Sequence, residues 1–241
     1  MWARWAVVGV VVCAMVAAQP SASAVGGPHV LVLSRTGGVV RIPVLRCSTP
    51  PNRTGFLPQF RLSGFPRRGP AVVNARLASQ LALYSNGWLT LLAPRGWKCR
   101  GVLGATGHVF LSVLPAGARS KVVSGSTRTP EVTAELPSAG TSEVGGLACP
   151  FFPTAAPQPG WTRCPSIPAG EAVARLGPRV AAFEDSPGVA GTGDPSGGAY
   201  PANGVVVYRE SRAALATCTL PEAKHAECTA ILNDFIARYP L

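Results

Sequence analysis

The stretch Leu81–Pro115, LALYSNGWLTLLAPRGWKCRGVLGATGHVFLSVLP, decides how the rest of the chain is read. It contains two short apolar runs, Trp88–Ala93 and His108–Leu114, closed off by Asn-Gly, Pro and Gly punctuation. Runs of this length with such boundaries read as strands rather than helices, and the pair reads as a hairpin. Between them lies Pro94-Arg95-Gly96-Trp97-Lys98-Cys99-Arg100, which puts one aromatic, three cations and a cysteine within seven residues. This is the densest chemical feature of the sequence, and it is expected on the connecting loop.

Upstream, Val30–Leu33 and Val39–Leu45 are apolar and β-branched around Ser34-Arg35-Thr36-Gly37-Gly38, a second hairpin signal. Pro43 lacks a ladder donor and predicts an edge or a strand end there. Phe56–Phe65 alternates loosely as a strand would, and Val73, Leu77, Leu81 and Tyr84 recur at helical spacing, which predicts a short helix over Ala71–Tyr84. Asn52-Arg53-Thr54 matches the glycosylation triplet, a pattern that arises often by chance. Downstream, Gly117–Gly146 reads as a polar connection. Cys149–Pro168 holds six prolines and two cysteines, the composition of a stapled loop. Val173–Phe183 is strand-like, and Glu184–Asn203, EDSPGVAGTGDPSGGAYPAN, is a long Gly/Pro loop. Strands follow at Val205–Tyr208 and Leu215–Thr219. Pro221 and Glu222 then open a helix whose Cys228, Ile231, Leu232, Phe235 and Ile236 make one apolar face. The class is α+β: strand-rich, disulfide-stapled, with long Gly/Pro loops and a C-terminal helix packed on the sheet.

The first residues read as an address. Met1–Arg4 supplies a positive charge, Trp5–Ala18 is an unbroken apolar run of 14 residues, and Ala22-Ser23-Ala24 is a small-residue cleavage site. A spanning helix needs roughly 20 apolar residues, so 1–24 is expected to be a signal peptide, and no later run is long enough to span a bilayer. Val10-Val11-Val12 before Cys13 lacks the small residue of a lipidation signal. Removal of Cys13 leaves Cys47, Cys99, Cys149, Cys164, Cys218 and Cys228, an even set that in an exported chain implies disulfides. Six cysteines allow 15 pairings. Proximity favours Cys149–Cys164 and Cys218–Cys228, which leaves Cys47 with Cys99.

Charge is distributed unevenly. Residues 25–130 carry 14 Arg and Lys and no acid, whereas 131–241 carry 7 basic and 11 acidic residues. The chain thus divides at the change of sign into a basic strand-rich half, 25–130, and an acidic half with the C-terminal helix, 131–241; the two are also compatible with one continuous domain. Of the 22 basic residues 19 are Arg, a usage that a high-GC genome produces unaided. Composition therefore does not explain the Arg preference by function, but it does leave the lack of acids over the basic half to be explained.

Motifs for catalysis are weak. Gly193-Asp194-Pro195-Ser196-Gly197-Gly198 resembles the Gly-Asp-Ser-Gly-Gly nucleophile motif of trypsin-like serine proteases with a proline inserted. The insertion shifts the register and removes an N–H from the segment that would bind an oxyanion. A triad would also require His108 and Asp185 to converge on Ser196. Glu184-Asp185 is the sole adjacent acid pair. His225-x-x-Cys228 with Cys218 could imitate a metal site, but paired cysteines in an exported chain favour a disulfide, so no metal and no cofactor is expected. Arg95, Lys98 and Arg100 form a candidate anion site with Trp88 and Trp97 as stacking platforms, against the alternative that the indoles pack in the core. Basic domains commonly bind nucleic acid. The exported address points instead to an anionic envelope polymer or polysaccharide.

Ala93-Pro94-Arg95-Gly96-Trp97-x-Cys99, Ala148-Cys149-Pro150-Phe151-Phe152, Phe183-Glu184-Asp185-x-Pro187-Gly188-Val189, Pro201-x-Asn203-Gly204-Val205 and the Cys218…Cys228 tail are similar to uncharacterised exported proteins of high-GC Gram-positive (actinobacterial) bacteria. The likeness covers most of the chain after the signal. It implies export and origin, and no activity comes with it. Two functions follow as expectations: a noncatalytic binding or cell-envelope module that uses the basic half, preferred, and a secreted hydrolase with its site in the 184–203 loop.

Overall fold

The computed structural model describes residues 37–49, 68–118, 129–138, 142–153, 164–210 and 212–239. The segment 1–24 expected to be a signal peptide, the strands expected at Val30–Leu33 and Phe56–Phe65, and the Asn52-Arg53-Thr54 triplet lie outside them. A four-stranded sheet is built from β1 (Val39–Arg46), β2 (Arg68–Val72), β3 (Leu81–Ser85) and β4 (Thr90–Pro94), in the order β2-β1-β3-β4. A seven-stranded antiparallel sheet is built from β5 (Lys98–Leu103), β6 (Val109–Leu114), β7 (Glu131–Leu136), β8 (Ala172–Gly177), β9 (Val180–Asp185), β10 (Ala202–Arg209) and β11 (Arg212–Thr219), in the order β5-β6-β7-β11-β10-β9-β8. This sheet takes strands from both sides of residue 130. Among the described residues three α-helices, α1 (Ala75–Ala78), α2 (Ser142–Ala148) and α3 (His225–Arg238), complete the α+β architecture. No helix among the described residues is long and apolar enough to cross a membrane.

The apolar runs of the 81–115 stretch are strands, but they do not pair with each other. β4 pairs with β3 in the first sheet and β6 pairs with β5 in the second, so the stretch is the crossing between sheets. The Asn86-Gly87 signal belongs to the β3–β4 turn, where Asn86 Oδ1 accepts from the amides of Trp88 at 3.1 Å and Leu89 at 2.8 Å. The charge-dense segment is correspondingly not a loop throughout: from Lys98 it is edge strand β5, with Lys98 and Arg100 exposed on alternate residues.

The helix expected over Ala71–Tyr84 shrinks to the single turn of α1, capped by Asn74 Oδ1 on the Leu77 amide at 2.9 Å. Leu81 and Tyr84 belong to β3, all five residues of which are buried. A strand buried on both faces does not alternate, and its apolar positions can mimic helical spacing. Pro43 does not mark an edge either. β1 takes β2 along Val39–Pro43 and β3 along Val44–Arg46, and Pro43 stands at the handover, where a missing N–H interrupts the interior of neither ladder. Likewise the 117–146 connection contains β7, third strand of the large sheet, and α2. Val173–Phe183 is a two-stranded hairpin, β8 and β9.

Period-two alternation sorts the seven-stranded sheet into two faces. Val205 and Val207 of β10, with Ala214, Ala216 and Cys218 of β11, face a core shared with the four-stranded sheet and with Ile231, Leu232 and Phe235 of α3. Val206, Tyr208, Ala213 and Leu215 face the other way, onto Val144 and Ala148 of α2 and onto Phe151 and Phe152. Phe151 stacks on Phe183 at 5.5 Å and Phe152 on Tyr208 at 5.6 Å. Three disulfides staple the layers. Cys47–Cys99 ties the end of β1 to β5 and so joins the two sheets, Cys149–Cys164 closes the segment after α2, and Cys218–Cys228 pins α3 to β11.

Gly204, opposite Phe183 across β9 and β10, shows how closely this second core is fitted. A Cβ there would lie 2.1 Å from Phe183 Cζ, inside the fully buried ring. Gly204→Ala should therefore destabilise the fold by about 1–3 kcal/mol through overpacking. Urea unfolding would show it, and Phe183→Leu in the same chain should recover part of the loss.

Candidate functional site

The two regions singled out by sequence, the cationic segment and the Gly/Pro loop, lie on one face of the large sheet. Registers align Arg100 with Ser112, Ser112 with Thr133, and Thr133 with Thr217, so these four residues form a row across β5, β6, β7 and β11. In the next row Glu131 faces Thr219, Thr219 faces Ala202 and Ala202 faces Asp185. This is the face whose other end packs on α2. Its apolar end is covered by aromatic rings, and its other end is polar although Ser112, Glu131, Thr217 and Thr219 are all buried.

Buried polar groups require partners. Ser112 Oγ donates to Glu131 Oε1. Burial pushes the Glu131 carboxyl up, the Ser112 hydrogen bond pulls it down, and the Asp194 carboxylate nearby pushes it up again. That interaction places the 186–201 loop over the polar end. Carboxylates also hold the loop itself. Asp185 Oδ2 accepts from the amides of Gly193 at 2.7 Å and Asp194 at 3.1 Å, and Glu171 Oε2 accepts from Thr192 at 2.6 Å. Asp194 Oδ1 accepts from the Ser196 amide at 3.0 Å and from Ser196 Oγ at 2.7 Å.

This geometry decides what the Gly193–Gly198 motif offers to chemistry. The Gly193 and Asp194 amides point at Asp185, Pro195 has no N–H, the Ser196 amide points at Asp194, and the Gly197 amide donates to the Asp194 carbonyl at 3.1 Å. An oxyanion hole needs donors directed at an incoming oxygen, and here the Gly193, Asp194, Ser196 and Gly197 amides are directed at the protein. Nor does His108 join Ser196. Its Nε2 lies 3.3 Å from Glu135 Oε2 and its Nδ1 3.6 Å from Glu143 Oε2, and the Glu135 hydrogen bond raises its pKa. Glu135 is four residues along β7 from Glu131, about 13 Å at strand rise. Glu184 and Asp185 point to opposite faces of β9, so they cannot flank one bond. Cys218 and Cys228 are joined, which leaves no thiolate beside His225.

Arg95, Lys98 and Arg100 are exposed, on the turn into β5 and on β5 itself. Trp88 and Trp97 are half-buried and pack against the main core, and the Trp97 amide donates to Tyr84 Oη at 3.1 Å while that hydroxyl donates to the Pro94 carbonyl at 2.8 Å. The Trp97 amide and the Tyr84 hydroxyl thus brace the turn that presents Arg95. The Cys47–Cys99 bridge sets exposed Arg46, next to Cys47, beside Lys98 and Arg100, which flank Cys99. Sequence reasoning missed Arg46 and the Ser112, Glu131, Thr133, Thr217 and Thr219 group. The latter had a signal: Glu131-x-Thr133-x-Glu135 and Thr217-x-Thr219 alternate with apolar residues as a strand does.

No family model, no curated protein and no solved structure matches this chain.

Proposed function

We propose that this protein is an exported, noncatalytic module that binds an anionic polymer of the cell envelope or an anionic polysaccharide through Arg95, Lys98 and Arg100. The observation that carries this reading is where the acids go. Glu131 meets Ser112, Glu135 and Glu143 meet His108, Glu171 and Asp185 hold loop amides, and Asp194 holds Ser196. Asp234 pairs with Arg238, Glu227 with Lys224 and Glu210 with Arg209. The acids of the second half are engaged mostly within that half. Among the described residues no ion pair involves Arg95, Lys98 or Arg100, and all three reach solvent at the sheet edge. The apolar segment and cleavage site of 1–24, together with three disulfides, support an extracellular address.

The test is retention on immobilised heparin and on isolated cell-wall polymer as salt is raised. Exposed charges are screened beyond about 8–10 Å at physiological ionic strength, so binding should fall steeply with salt. The triple variant Arg95→Glu, Lys98→Glu, Arg100→Glu should bind at least about tenfold more weakly at low salt. The slope of log affinity against log salt should also become shallower by about two, at about 0.7 for each cation removed from a flexible polyanion. Equal retention of a folded triple variant would show that these cations serve the structure alone.

A further inference from the structure

We propose that Glu171 and Asp185 form a proton-dependent clasp that fastens the Thr192 end of the 186–201 loop to the edge of the seven-stranded sheet and lets it go as the pair ionises. The geometry begins with register. Ala172 of β8 faces Glu184 of β9, so Glu171, one residue earlier, stands directly across from Asp185. Two like charges opposite each other on neighbouring strands repel, yet here the two side chains turn onto adjacent amides of one loop, Glu171 onto Thr192 and Asp185 onto Gly193. Asp185 is 1% exposed, and its Oδ1 and Glu171 Oε1 are buried without a donor. A single proton held between the carboxyls removes both difficulties, because it cancels one charge and supplies the missing donor.

The surroundings favour a proton in that place. Facing the pair are the Thr192, Gly193 and Asp194 amides from the loop and Ala202 from β10. The other acids at this end of the face are Asp194, turned to Ser196, and Glu131 beyond it, while Glu184 points to the opposite face of β9. Among the described residues no cation pairs with Asp185 or Glu171. The loop backbone also presses on Asp185: a Cβ on Gly191 would lie 1.9 Å from its Oδ1. A calcium ion would require six to eight oxygens, and the described residues hold no group of three or more His, Cys, Asp or Glu arranged for a metal. Burial and Glu171 together push Asp185 up to about 7, while the Gly193 and Asp194 amides pull against that shift.

The two halves of the clasp respond differently to loss of the proton. Asp185 is enclosed and its ionised form is favoured by two amides, so Gly193 and Asp194 stay bound. Glu171 is half-exposed and moves toward water, and Thr192 loses its acceptor. The sign of the stability effect follows. Between the unfolded Asp value of 3.8 and about 7 the folded chain binds more protons than the unfolded one, so stability falls as pH rises through that window.

Amide exchange of the full chain measured by NMR at pH 5.5 and pH 8.5, corrected for intrinsic exchange, separates these outcomes. The Thr192 protection factor should fall at least about tenfold at the higher pH, while Gly193, Asp194 and the β10 amides of Val205–Val207 keep theirs. Glu171→Gln removes the second negative charge of the pair at every pH while keeping its bonds, because its carbonyl accepts from Thr192 and its NH2 donates to Asp185. Thr192 should then be equally protected at both pH values. Unchanged Thr192 protection in the parent, or a fall that persists in Glu171→Gln, overturns the proposal. Recovery of protection at pH 8.5 on adding calcium also overturns it, since a cation would then occupy the gap.

Discussion

Replacing both Cys47 and Cys99 by serine should cost about 4 kcal/mol, against a total stability of roughly 5–15 kcal/mol for a domain of this kind. The bridge spans a separation of 52 residues, and the loop-closure entropy it removes from the unfolded chain grows with that length. By the same scaling the Cys218–Cys228 bridge, with a separation of 10, contributes about 2.7 kcal/mol. The folded state gives a second reason for the larger effect. Around Cys47–Cys99 the sheets meet through few polar contacts: the Gly101 amide on the Ser48 carbonyl at 2.8 Å, and Asn86 Nδ2 on the Phe110 carbonyl at 3.3 Å. Without the bridge the Gly101–Ser48 bond and the shared apolar core are left to hold the β1 end against β5. Denaturant unfolding of the two double serine variants at pH 7 checks the order. A smaller loss for Cys47/Cys99 than for Cys218/Cys228 would show that the sheets dock without the covalent tie.

The α+β class and the Cys149–Cys164 and Cys218–Cys228 staples were legible because they rest on local signals, and Cys47–Cys99 followed from them by elimination. Val205–Tyr208 and Leu215–Thr219 are apolar runs bounded by Gly, Asn and Pro, and the α3 face repeats at helical spacing. Pairing was not legible, since it is long-range. The Trp88–Ala93 run looks equally good beside His108–Leu114 or beside Leu81–Ser85, and only the Asn86-Gly87 turn favours the second. β3 was hidden by its own burial. With both faces covered it shows no alternation, and Leu81 and Tyr84 continue the spacing of Val73 and Leu77 by coincidence. β7 was hidden for the opposite reason: Glu131, Thr133 and Glu135 on its polar face make the segment look like a connection.

The exposed cations of the candidate site could be read from charge counting, because 14 basic residues without an acid in residues 25–130 need a partner from elsewhere. The polar row beneath the 186–201 loop could not. It exists only once β5, β6, β7 and β11 are laid side by side, which brings Arg100, Ser112, Thr133 and Thr217 together from four separate places in the chain. The same is true of Glu171 and Asp185. Their separation in sequence suggests nothing, and the β8–β9 register makes them neighbours.

Asp234→Ala should cost about 3–5 kcal/mol, the range for breaking a buried charge pair by removing one partner. Asp234 is three residues after Ile231 on α3, on the buried side of the helix, and is 1% exposed. Its Oδ1 accepts from the Val72 amide at 2.7 Å and its Oδ2 from Arg238 Nε at 2.6 Å. Val72 ends β2, the outer strand of the four-stranded sheet, so one carboxylate both caps a sheet edge and fixes the helix against it. Burial pushes this carboxyl up, and Arg238 and the Val72 amide pull it down. Truncation to alanine leaves a buried N–H without an acceptor and a guanidinium without its counter-charge. Asp234→Asn should cost clearly less, because the amide oxygen still accepts from Val72 and only the ion pair is lost. Chemical unfolding of the two variants, with hydrogen exchange at the Val72 amide, separates the contributions. If asparagine and alanine destabilise equally, the bond to the Val72 amide contributes nothing and the loss is that of the ion pair with Arg238 inside α3.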